Sequence, residues 1–261
     1  MHYKTVFLSD VHLGWKNCQA EKLLHFLRSM TCDKLYLVGD IVDLWALRRH
    51  WFWPESHNAI VRELIILAES KTQVFYVVGN HDPMLTYVPS LKLGEIQAQS
   101  FATHETGTGK KLWIVHGDCV DLRLHYGRWQ ALIGGGFYYA TQWANRLQKK
   151  ALSLVGHHGQ WSLYQYIKTH LPQAVEVIER FERMMAEETQ KRGFDGVVCG
   201  HIHHANVRTY HGIDYYNCGD WIDSCTVLVE HCTGDLSLLR WSEMLEHQSE
   251  KKKRLKIFTR S

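Results

Sequence analysis

The sequence predicts an α/β fold with a layered core and an inserted helical lid. Short apolar runs alternate with amphipathic stretches, the pattern of strands laid against helices. Residues of metal-ligand type recur where the apolar runs stop, and strand texture vanishes between about residues 121 and 192.

Taken in order, Lys4–Ser9 reads as a buried strand and Ala20–Met30 as an amphipathic helix. Lys34–Val38 is a second strand running into Gly39-Asp40, and Ser56 is the expected N-cap of a helix to about Ser70. Gln73–Val78 is a third strand, ending in Gly79-Asn80-His81-Asp82. Shorter pieces follow around Ile96–Thr103, and Lys111–Val115 leads into His116-Gly117-Asp118. The next stretch is helical in pattern, broken at Gly134-Gly135-Gly136 and Gly156, with Pro172 opening a helix to about Arg192. Strands resume at Gly196–Cys199, Asn206–Tyr210 and Ile213–Asn217. A hairpin then spans Thr226 to Trp241, turning at Thr233-Gly234-Asp235. The expected division is a core of residues 1–120 and 193–245, a helical lid of 121–192 and a basic tail of 246–261.

A length of 261 residues suits one α/β core carrying an insertion. With 45% hydrophobic and 22% charged residues, the chain has the composition of an ordinary globular protein. A net charge of +3 is too small to argue for nucleic acid as a partner, though it suits an anionic substrate. The 18 His and 10 Trp are both high for this length, so their placement matters. Seven cysteines, an odd set with no C-x-x-C pair, read as free thiols of a reducing compartment. No apolar run approaches the roughly 18–20 residues of a membrane span. The N-terminus leads straight into a strand that ends in a candidate ligand, so no signal peptide is expected and a cytoplasmic location is.

The chemistry sits at the strand ends. Asp10, Asp40, Asn80, His116 and His201 each follow an apolar run directly or after one small residue. In open α/β sheets, ligand sites gather outside the carboxyl ends of the strands. Asp10 and His12 are two residues apart, as are His201 and His203; extended backbone would turn each pair to one side. Glycines at 39, 79, 117 and 200 permit sharp turns and close approach. Carboxylate, imidazole and amide without thiolate suit a labile catalytic site for Mn²⁺, Fe²⁺ or Zn²⁺. Seven such ligands exceed the needs of one tetrahedral ion, whereas two ions sharing a carboxylate would use them all.

In chain order the motifs are D-x-H, G-D-x-x-D, G-N-H-D, H-G-D and G-H-x-H. This set resembles that of the calcineurin-like metallophosphoesterase superfamily, from residue 10 to residue 203. The resemblance implies a four-layer αββα sandwich with two divalent cations. Asp10, His12, Asp40 and His203 would hold the first, and Asp40, Asn80, His116 and His201 the second, with Asp40 bridging. His81 would assist catalysis and Asp82 would orient it. The implied reaction is hydrolysis of a phosphoric ester or anhydride by attack of a metal-bridging hydroxide. Length, the opening Phe7-Leu8-Ser9-Asp10-Val11-His12-Leu13 and the large insertion are similar to the UDP-2,3-diacylglucosamine diphosphatase branch. Those enzymes cleave a nucleotide-sugar pyrophosphate in lipid A assembly at the membrane surface, generally with Mn²⁺. Two departures stand out: that branch has Arg in place of His81, and Ile41-Val42-Asp43-Leu44-Trp45 also differs.

Two basic-aromatic clusters are candidates for substrate contact. One is Arg123, His125, Tyr126, Arg128 and Trp129; the other is Arg48 and Arg49 with His50, flanked by Trp45, Trp51 and Trp53. Arginine pairs well with phosphate, and aromatic faces can stack on a base or line an acyl channel; the bland reading of either cluster is a solvated face. Gly134-Gly135-Gly136 reads as a hinge or as a plain turn. The Lys251–Arg254 run reads as a contact to anionic lipid, hence peripheral membrane association, or as a solvated tail. The competing function is a nucleotide or nucleic-acid phosphodiesterase on the same core. A fold retained as an inactive scaffold would be expected to lack ligands, and none is missing.

Overall fold

The computed structural model describes residues 1–83, 96–123 and 170–245. Two compact units divide the chain, Met1–Asp118 with Ala186–Ser261, and Cys119–Met185. The expected lid falls largely on residues 124–169, and the expected tail on 246–261, both outside the described residues.

In the first unit the elements run β1 (His2–Leu8), α1 (Ala20–Ser29), β2 (Thr31–Val38), α2 (Leu44–Arg49), α3 (Glu55–Glu69) and β3 (Gln73–Val77). Next come β4 (Gln97–Gln99), β5 (Ala102–Glu105) and β6 (Lys111–Ile114). After α4 (Pro172–Lys191), which crosses between the units, come β7 (Gly196–Cys199), β8 (Asn206–Tyr210) and β9 (Ile213–Asn217). β10 (Thr226–Glu230) and β11 (Leu236–Arg240) close the set. They form two mixed sheets, six-stranded in the order β11-β10-β1-β2-β3-β4 and five-stranded in the order β5-β6-β7-β9-β8. The fold is α/β.

Alternation along the strands explains the layering. On β1, Val6 and Leu8 face helices α1 and α3, joining Leu23, Phe26, Leu27, Ile60 and Leu64 in one core. Phe7, between them, points the other way, into a second core with Val38, Leu112, Ile114 and Val198 from both sheets. There Phe7, Tyr36 and Phe75 occupy paired registers on β1, β2 and β3. Their rings stack at centroid distances of 5.1 and 4.6 Å, a cross-strand ladder that locks the register. β1, β2 and β3 run parallel, as do β6 and β7, so each set delivers its carboxyl ends at one edge. Among the tryptophans, Trp221 and Trp241 are fully buried around Phe26, whereas Trp45 and Trp51 are exposed.

Two local expectations are corrected. The third helix begins at Glu55 behind an extended Pro54, and Ser56 lies inside its first turn. Proline's fixed φ ends the preceding loop, and the acidic Glu55 complements the helix N-terminus. The short helix α2 was not expected from the sequence; the Asp43 side chain caps it by accepting from the Ala46 N–H at 2.7 Å. None of the seven cysteines is in a disulfide, and Cys32, Cys199, Cys218 and Cys225 are buried. No helix among the described residues is long and apolar enough to cross a membrane.

One buried charge makes a testable contribution to stability. The Glu230 carboxylate accepts from Thr5 Oγ1, from the Gly107 N–H and from His104 Nε2, each at 2.7 Å. Burial alone would raise its pKa, but these partners hold it at about 2, against 4.5 for a free glutamate. A depressed carboxyl stabilises the fold above its unfolded pKa and loses that contribution as pH falls through the folded value. The thermal midpoint should therefore drop between pH 4.5 and about 2. Glu230→Gln should flatten that drop, with a loss of about 2 kcal/mol at neutral pH; calorimetric scans at several pH values read both effects.

Candidate metal centre

The loops that follow β1 and β2 lie side by side. Asp10 N–H donates to the Gly39 carbonyl at 3.1 Å and His12 N–H to the Asp40 carbonyl at 2.9 Å. Asp10, His12, Asp40, His201 and His203 all have left-handed backbone, with φ between 50° and 69°. Non-glycine residues adopt this conformation at a cost, and it clusters at functional sites. The i, i+2 pairs are thus not extended, as the spacing alone suggests. Tight inter-loop hydrogen bonding curls them, and their side chains converge all the same.

The convergence is close. Asp40 Oδ2 lies 3.3 Å from His116 Nε2 and 3.8 Å from His12 Nε2. Asp10 Oδ1 lies 3.3 Å from His203 Nε2 and 3.9 Å from His12 Nε2. The rings of His116 and His201 are 5.1 Å apart, and those of His12 and His203 5.2 Å. Asn80 follows β3 on the loop whose next amide, His81 N–H, donates to Asp40 Oδ1 at 2.8 Å. Glycines make room for this. A Cβ on Gly79 would strike the Asp40 carboxylate, and one on Gly200 the Asp10 carboxylate.

These atoms fit a divalent cation site. Asp10 Oδ1, His12 Nε2, Asn80 Oδ1 and His116 Nε2 are buried with no hydrogen-bond partner. Leaving four such atoms unsatisfied in a protein interior is costly, and all four belong to the expected ligand set. The opposite edges of the imidazoles are already engaged: His116 Nδ1 donates to the Val38 carbonyl at 3.0 Å, and His12 Nδ1 to Asp43 Oδ2 at 3.0 Å. That outer bonding fixes the tautomer and aims each Nε2 lone pair inward. Charge agrees. Burial would raise the Asp10 carboxyl, yet His203, His12 and His116 hold it at about 2. Asp40, also opposed by burial, is held well below the carboxylate range by His116 and His12. Groups able to hold an ion include Asp10 with His12 and His203, and Asp10 with Asp40 and His116.

His81 lies beside this cluster, its Nε2 4.0 Å from Asp40 Oδ2 and its side chain 19% exposed. The residue that orients it is Asp43, whose Oδ1 accepts from His81 Nδ1 at 3.0 Å. This corrects the expectation for Asp82, whose buried carboxylate makes no bond to that ring. It accepts from Gly79 N–H at 2.6 Å, Ile41 N–H at 2.9 Å and Tyr76 Oη at 2.6 Å, tying the β3 loop to the β2 loop. The roles of Asp43 and Tyr76 were missed from sequence. The second aspartate of Gly39-Asp40-x-x-Asp43 was the available signal for the first, and nothing in the sequence marked the second.

Arg48 and Arg49 stand exposed at the end of α2. Arg123 ends a 3₁₀ turn over Asp118–Arg123. His125, Tyr126, Arg128 and Trp129 lie outside the described residues.

Residues 3–205 match the calcineurin-like phosphoesterase family, and the chain belongs to it. It is a metal-dependent phosphoester hydrolase by class. Among curated relatives, the UDP-2,3-diacylglucosamine hydrolase of Neisseria meningitidis serogroup C is 25% identical over 234 residues, covering 82% of this chain and 88% of its own. A protein of the same name from Blochmanniella pennsylvanica is 30% identical over 116 residues, covering 43% of this chain and 46% of its own. An archaeal phosphodiesterase of known structure aligns with 90% of this chain and 98% of its own, at 15% identity and a TM-score of 0.45.

Proposed function

We propose that the protein is a dinuclear metal-dependent pyrophosphatase hydrolysing a nucleotide-sugar lipid such as UDP-2,3-diacylglucosamine. The observation that carries the metal chemistry is the set of buried, partnerless atoms on Asp10, His12, Asn80 and His116, with Asp10, His12 and His116 also in the carboxylate–imidazole groups able to hold an ion. The substrate rests on the meningococcal hydrolase, similar along 82% of this chain. In this reading Asp10, His12, Asp40 and His203 hold one cation, and Asp40, Asn80, His116 and His201 a second, Mn²⁺ by preference over Fe²⁺ or Zn²⁺. When bound, two such ions would supply Lewis acidity at the phosphoryl oxygens and lower the pKa of a water toward neutrality. His81, with Nδ1 donating to Asp43, keeps Nε2 free to hold or give a proton at a phosphoryl or leaving oxygen. Asp82 braces the loop that carries Asn80 and His81. Arg48, Arg49 and Arg123, with His125, Tyr126, Arg128 and Trp129, are assigned to substrate contact. The enzyme would work in the cytoplasm, docking peripherally on the inner membrane face where an acylated substrate resides.

The test is side-by-side hydrolysis of UDP-2,3-diacylglucosamine and UDP-N-acetylglucosamine with Mn²⁺. The acylated compound is expected to react with kcat/KM higher by at least about tenfold, because remote binding is converted into rate. Equal rates, or cleavage of generic aryl phosphodiesters alone, would refute the lipid assignment and leave a phosphodiesterase.

A further inference from the structure

The helix α2 starts at Leu44, directly after the aspartate that orients His81. Its second residue, Trp45, lays its indole on the His81 ring, with centroids 4.4 Å apart and planes inclined by 33°. The edge of His12 meets the same imidazole at 4.8 Å, and Asp43 holds its Nδ1. Yet Trp45 is 48% exposed, so one part covers His81 while the remainder faces solvent. Simply restraining the imidazole does not call for so much open aromatic surface. An indole left open at the mouth of a phosphoester site is a stacking surface for a planar ring. Arg48 and Arg49 follow at i+3 and i+4, on the same side of the helix, and both are exposed. The juxtaposition of a π-face beside His81 with two guanidiniums one turn away matches a nucleotide, which is a planar base joined to phosphate.

We propose that Trp45 is a specificity-determining residue that stacks the base of a nucleotide substrate while His81 and the metal-ligand cluster receive its phosphate. The inference rests on the hydrolase reading above and adds where the nucleoside half is recognised.

Equilibrium binding of uridine 5′-monophosphate and of ribose 5-phosphate to the Mn²⁺-loaded protein, by titration calorimetry, tests it. The two ligands share sugar and phosphate and differ by the base. The wild type should prefer the nucleotide by about tenfold or more, the range that base–aromatic stacking supplies. Trp45→Ala should erase most of that preference and Trp45→Phe should keep most of it. If Trp45→Ala binds the nucleotide with undiminished preference, or if the wild type shows none, the proposal is overturned. A Trp45→Ala variant weakened equally towards both ligands would overturn it too, since that is the mark of a residue acting only through His81. Failure of the hydrolase reading is separate: it appears as wild-type protein inert towards every phosphoester with metal added.

Discussion

Asp40→Ala should abolish hydrolysis and strip the protein of both cations. Asp40 reaches toward both imidazole groups: Oδ2 faces His116 and His12, while Oδ1 accepts the His81 amide. Removing it takes away the one ligand assigned to both ions, and with it the carboxylate oxygen that lies 3.3 Å from His116 Nε2 and 3.8 Å from His12 Nε2. Metal catalysis contributes several kcal/mol of transition-state stabilisation, and each 1.36 kcal/mol is tenfold in rate. The expected fall in kcat/KM is therefore about 10⁴-fold. Metal content by plasma emission spectroscopy should fall from two ions per chain towards none, with the far-ultraviolet circular dichroism unchanged. Asp40→Asn keeps the volume and loses the charge, and should follow the alanine variant in metal loss. Substantial turnover by either variant, or two ions retained, would contradict the shared-carboxylate arrangement.

The second large effect is expected at His81. Its Nδ1 is committed to Asp43 and its ring is gripped between His12 and Trp45, which leaves Nε2 as the working atom. Positioned proton transfer typically contributes 10²- to 10⁴-fold. His81→Ala should lower kcat by about 10³-fold on a substrate with a poor leaving group, such as an alkyl phosphodiester, while both metals remain bound. With a nitrophenyl leaving group, which departs without protonation, the loss should be much smaller. That contrast separates proton donation from simple damage to the centre. If both substrates suffer alike, His81 acts by stabilising charge on the phosphoryl oxygens and not by protonating the leaving oxygen.

Much of this arrangement was legible because the chemistry sits where strands end. Asp10, Asp40, Asn80 and His116 each stop an apolar run that becomes a strand, and a strand covered on both faces reads as a near-continuous apolar run whose end is easily seen. What stayed illegible depends on contacts between distant segments. The left-handed backbone at Asp10 and His12 is set by hydrogen bonds to Gly39 and Asp40 across the loop pair, and spacing within one segment cannot report it. Asp43 looked like one motif letter but serves three partners, His12, His81 and the Ala46 amide. Asp82, beside His81 in sequence, turns away to satisfy backbone amides, because its neighbours Gly79 and Ile41 present N–H groups that are costly to bury alone. The tryptophans illustrate the same limit: the sequence does not distinguish Trp221, sealed in the core, from Trp45, open beside the site.

Anomalous diffraction from crystals soaked in Mn²⁺ bears most directly on the centre. Two peaks about 3.5–4 Å apart are expected, with the Asp40 carboxylate between them, Asp10, His12 and His203 around one, and Asn80, His116 and His201 around the other. A single peak, or manganese bound away from Asp40, would contradict it.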